Sequence, residues 1–96
     1  MNNYILVGDK PVAEPDLMKW AKWFESADRV VEKTQVGECE VSTVFLGTDH
    51  NFEQSGPPIL WETMLFGGSR DGEQERYSSL AEAKAGHARM VLEAKL

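Results

Sequence analysis

Apolar and polar residues follow three rhythms along this chain, and each change of rhythm marks an element. Tyr4-Ile5-Leu6-Val7 is a short β-prone run closed by Gly8-Asp9-Lys10-Pro11, a turn composition, and it predicts a first or edge strand. Ala13-Glu14-Pro15-Asp16 then opens a helix, with Pro15 suited to the first helical position and Asp16 to the positive end of the dipole. Leu17, Trp20, Ala21 and Phe24 fall at i, i+3, i+4 and i+7, so they predict the buried stripe. Trp23 lies at the edge of that stripe, and Trp20, Phe24 and Phe45 are expected in one core.

After Arg29 the period shortens. Val30 to Val36 is β-branched and loosely alternating, and Gly37-Glu38 makes a tight turn into a strand from Cys39 to Gly47. A loop over 48–58 ends at Pro57-Pro58, and Ile59 to Phe66 forms the next strand, stopped by Gly67-Gly68. Asp71-Gly72 signals another hairpin turn, leading to a short strand over Glu73 to Tyr77. Ser79-Leu80-Ala81-Glu82 matches a capping box, and Leu80, Ala83, His87, Met90, Val91 and Ala94 form one face of the helix it starts. The order β-α-β-β-β-(β)-α defines an α+β domain. A four- or five-stranded, mainly antiparallel sheet carries two helices on one face, and residues 1–96 form a single domain.

The central strands are apolar on both sides. Val41, Thr43 and Phe45 share one side with Trp61, Thr63 and Leu65, while Val44, Leu46, Met64 and Phe66 fall on the other. Two helices on one face cannot cover both. The second face is therefore expected either beneath the 48–58 loop or against another chain, and a homodimer or partner interface through Val44, Leu46, Met64 and Phe66 is the favoured expectation.

Charge sharpens this picture. The 96 residues carry a net charge of −6, and from Thr34 to Ser69 there is no Lys or Arg, only Glu38, Glu40, Asp49, Glu53 and Glu62. Such a balance argues against direct contact with nucleic acid or an anionic membrane, both of which need a basic footprint. It suits a partner protein that itself presents a basic groove. The single cysteine, Cys39, excludes an internal disulfide framework and points to a reducing cytoplasm. No apolar run approaches the ~20 residues of a membrane span, and the N-terminus lacks a basic, then apolar, signal pattern.

Candidate chemistry is sparse. Asp49 beside His50 and Asn51 is the most enzyme-like group, since a carboxylate orients an imidazole and raises its basicity. The same residues are those of an Asx-turn leaving a strand, and that reading is favoured. With Phe52, Glu53, Trp61 and Glu62 they form the candidate binding set. Trp61 and Glu62 could stack on and hydrogen-bond a flat ligand under the 48–58 loop, or Trp61 is plain core. His87 is expected to be structural. His50, His87, Cys39 and the carboxylates show no metal-ligand spacing, so no metal or other cofactor is expected.

The segments DLMKWAKWFE (16–25), VSTVFLGTDHNF (41–52), GPPILWETMLFGG (56–68) and RYSSLAEAKAGHARMV (76–91) resemble a family of short tailed-phage and prophage proteins with no assigned activity. The resemblance covers nearly the whole chain. It implies a phage product acting in the host cytoplasm, without catalytic residues to carry over. The functional expectation is a small acidic, non-enzymatic protein that binds a host protein, such as a defence component. The alternatives are a binder or sponge for a nucleotide-like ligand, and a small enzyme using Asp49, His50 and Glu62.

Overall fold

Valine-rich β3 (Val30–Val36) turns directly into β4 (Cys39–Phe45), with Val36 opposite Cys39 and only Gly37-Glu38 between them. Gly37 has φ +59, the left-handed conformation a two-residue turn requires. The computed structural model describes residues 2–53 and 55–96; Met1 and Gln54, the latter inside the expected 48–58 loop, lie outside the described residues. Strand β4 pairs with β5 (Trp61–Phe66), and β5 with β6 (Gln74–Tyr77), giving a four-stranded antiparallel meander in the order β3-β4-β5-β6. Helix α2 (Leu80–Ala94) lies across one face and packs on all four strands. The fold is α+β, as the sequence predicts.

Ser79 caps α2. Its hydroxyl accepts from the Glu82 backbone N–H at 3.1 Å and donates to the Glu82 carboxylate at 2.9 Å. Beneath α2 the core has two parts. Phe45, Leu60, Trp61, Tyr77 and Ala83 form one, and Cys39, Val41, Leu65 and Met90 the other. Between them His87 is buried, joined by Nδ1 to the Thr43 hydroxyl at 2.7 Å and by Nε2 to that of Thr34 at 2.8 Å. His87 is structural as expected, although its partners are strand hydroxyls on both nitrogens.

The first third departs from expectation. β1 (Tyr4–Val7) does not join the main sheet; it pairs with β2 (Lys10–Ala13) as a separate hairpin that the sequence does not predict. Pro11 disguises β2, because proline is depleted in strands. Here it costs nothing: the two-residue turn makes Val7 and Lys10 the hydrogen-bonded pair, so the Leu6–Pro11 pair needs no proline N–H. Helix α1 (Leu17–Ser26) starts later than Pro15. Asp16 is its N-cap, accepting from the Met18 and Lys19 N–H groups at 3.0 and 3.2 Å.

The predicted α1 stripe is corrected too. Leu17 is 64% exposed, Ala21 is exposed, and no residue of α1 is fully buried. Trp20 and Phe24 stack at 4.8 Å and are half-buried over Gly47, whereas Trp23 is the residue that meets Phe45, edge-on at 5.9 Å. The cause is tertiary: α1 rests beside the hairpin rather than on the sheet, so the side chain that reaches inward sits off the expected stripe. Leu60 also breaks the alternation rule. It precedes β5, outside the pleat, and is fully buried beside Phe45 and Trp61.

Candidate binding surface

Two neighbouring features fill the stretch that lacks Lys and Arg: the loop after β4 and the open face of the sheet. The loop is built by two side chains. Asp49 Oδ1 accepts from the Asn51 N–H at 2.8 Å and the Ile59 N–H at 2.9 Å, drawing the two ends of the loop together. Asn51 Nδ2 donates to the Ser55 and Pro57 carbonyls at 3.0 and 2.9 Å, and its Oδ1 accepts from the Glu53 N–H. Both residues are spent on shape, as Asx-type turns predict.

What the loop presents is His50, Phe52 and Glu53, around a shallow depression of about 560 Å³ that also touches Ile59 and Ser78. Phe52 is 71% exposed. His50 Nδ1 lies 2.9 Å from the Thr48 carbonyl, which can only accept, so Nδ1 donates to it. Asp49 does not address the imidazole; its bonds go to the backbone.

Trp61 and Glu62 are not brought to this loop. Trp61 is buried on the α2 side of the sheet, in edge contact with Phe45 at 5.4 Å. Glu62 is on the opposite side, where its Oε2 meets Arg76 Nε at 2.8 Å across the β5–β6 pair. Neither Trp61 nor Glu62 lines the depression around His50, Asn51 and Phe52.

The open face follows from the strand register. Val30 lies opposite Val44, Ser42 opposite Met64, and Glu40 opposite Phe66, all on the side away from α2. Val44, Leu46 and Met64 are half-buried, Val30 is 42% exposed and Phe66 47% exposed. None of these five belongs to either core cluster. Glu40, the Glu62–Arg76 pair, Lys33 and Gln74 frame them. The strand register sets Val44, Met64 and Phe66 on one side, as the sequence predicts, whereas Leu46 lies beyond the end of β4; sequence reasoning missed Arg76, whose partner lies 14 residues away in sequence.

One other polar cluster has the composition of a catalytic group. His87 Nε2 lies 3.4 Å from Glu32 Oε2, and Thr43 bridges His87 to Thr63. Thr43, Thr63 and His87 are closed beneath α2, so the hydroxyls are out of reach of a substrate and serve the core. No family model matches the chain, and no curated protein or solved structure does either. Among the described residues no helix is long and apolar enough to cross a membrane, and no three His, Cys, Asp or Glu residues group as metal ligands.

Proposed function

We propose that this chain is a non-enzymatic binding protein that holds a partner protein against the open face of its sheet. The observation that carries this reading is the Val30, Val44, Met64 and Phe66 stripe, apolar at its centre and polar at its margin, which is the anatomy of a protein interface. Phe52, presented by a loop that the Asp49 and Asn51 side chains tie together, is a second anchor, because an aromatic side chain costs little entropy to dock. Around the loop itself, Glu53 beside Phe52 and the lack of Lys or Arg between residues 34 and 69 favour basic groups on the part of the partner that meets it. The phage resemblance supplies the context: a host protein, including a component of host defence, in the host cytoplasm.

Self-association is the second reading, favoured by the two signs of charge on one face. Lys33 and Arg76 share it with Glu40 and Glu62, so it can complement a copy of itself. Met64→Lys combined with Phe66→Lys tests both readings. Affinity capture from host lysate should lose its partner with the double variant, while sedimentation shows whether the unmodified protein is a dimer that the variant converts to a folded monomer. An unmodified protein that sediments as a monomer and captures the same partners with or without the two lysines overturns the assignment of this face.

A further inference from the structure

The depression beside the 48–58 loop has a lining that selects its occupant. Phe52, Pro57 and Ile59 supply apolar surface, Glu53 is its one carboxylate, and no Lys or Arg lines it. The rings of His50 and Phe52 stand 6.0 Å apart at 54°, so they form a corner rather than a closed stack. Phe52 is exposed, which leaves most of its ring uncovered. The Glu53 carboxylate makes no ion pair with any described residue, so its charge is available to a visitor.

We propose that this corner holds an arginine side chain from an exposed segment of the bound protein. The inference rests on the reading of Phe52 as a second anchor for that protein, and it names the chemistry the anchor meets. Apolar walls with a single acid suit a side chain that has an apolar stem and a cationic head. The stem lies along Pro57 and Ile59, and the head stays at the rim with Glu53. A neutral ring would stack on Phe52 but leave Glu53 unused, and a phosphate would be repelled by it.

The shape of the head separates arginine from lysine. A guanidinium is planar and weakly hydrated, so it lies flat on an aromatic face while its N–H groups still reach a carboxylate. An ammonium is a compact, strongly hydrated point charge. This chain already makes the contact once, with the Arg29 guanidinium 3.9 Å from the centroid of the Phe24 ring. At Phe24 the cation comes from within the chain; at Phe52 the partner supplies it.

A short blocked peptide with one arginine between glycine and serine residues tests this. Its citrulline analogue keeps the shape without the charge, and its lysine analogue keeps the charge without the plane. In proton–nitrogen spectra of the labelled protein, the arginine peptide should shift the His50, Phe52 and Glu53 amides saturably at millimolar concentration. Lysine should bind about threefold more weakly, and citrulline about tenfold, since it forfeits both the cation–π and the ion-pair contact. Glu53→Gln should shrink the advantage over citrulline, and Phe52→Leu, apolar without a ring, should abolish the advantage over lysine. Asp49 and Asn51 tie the loop, so both variants keep its shape. Equal affinity for arginine and either analogue, shifts at Glu40 or Glu62 in place of the loop, or no saturable shift would each overturn the proposal. The combined Met64→Lys and Phe66→Lys variant should bind the peptide as the unmodified protein does, so the open face and this corner fail or stand separately.

Discussion

At Gly86 the α2 helix passes so close to Tyr77 that a Cβ would overlap the phenol ring. Glycine inside a helix ordinarily costs about 1 kcal/mol relative to alanine, so Gly86→Ala would stabilise an isolated helix. In the folded protein the added methyl must displace Tyr77 or lift α2, and overpacking of this kind costs roughly 1–3 kcal/mol. A net loss is therefore expected, read as a lower urea midpoint; a gain would show that the contact is looser than described. Nothing in the sequence announces this contact, because Gly86 reads only as a weak position in a helical pattern. His87 beside it was half legible. Its place on the apolar stripe shows in the spacing, while Thr34 and Thr43 come from strands 53 and 44 residues away.

Among the elements, those defined by local signals were the ones the sequence revealed. The Gly37-Glu38 turn, the Asp71-Gly72 turn and the Ser79 cap each rest on neighbouring residues, and each stands where expected. Ser79→Ala should remove about 1 kcal/mol by leaving the Glu82 N–H unsatisfied at the helix start, measurable by chemical denaturation. Ser79→Asp should restore most of it; if alanine is neutral, the cap contributes nothing. Helix α1 shows the opposite case. Its periodicity is real, but which side chain reaches the core depends on where the hairpin lies, and that is a tertiary fact. The β2 strand was hidden for a different reason, the proline at its second position, although it pairs with β1 across a two-residue turn.

For the whole molecule, Tyr77 couples the core to pH. Burial, the leading cause, raises its phenol above the ordinary value. The unfolded chain then loses the proton first as pH rises. The stability linked to this group is complete below about pH 10 and is lost as pH climbs through the higher folded value. Urea midpoints compared between pH 8 and 11 should fall more steeply for the unmodified protein than for Tyr77→Phe; parallel curves would contradict the shift. The open face was legible because alternation along β4 and β5 needs no knowledge of the rest. The candidate loop was legible only in part. Asp49 and Asn51 declare their turn, whereas the burial of Trp61 and the absence of Trp61 and Glu62 from the depression beside the loop are tertiary facts.

The Gly47 carbonyl accepts both the Tyr4 N–H and the Trp20 indole N–H at 2.9 Å, while its φ of +79 and a Phe24 ring 3.0 Å from where a Cβ would sit make any side chain there costly. In evolutionary terms this makes position 47 a bottleneck. The hairpin and α1 also meet the meander through Tyr4, Leu6 and Trp23, which pack against the Phe45 and Trp61 cluster, but those are side-chain contacts that can be exchanged in compensating pairs. At the Gly47 joint any side chain would be strained by the positive φ and would have to push the Phe24 ring aside. Lineages that replace the amino-terminal appendage altogether would be the ones released from glycine there, so the residue at 47 records in a descendant whether the original appendage is still in place.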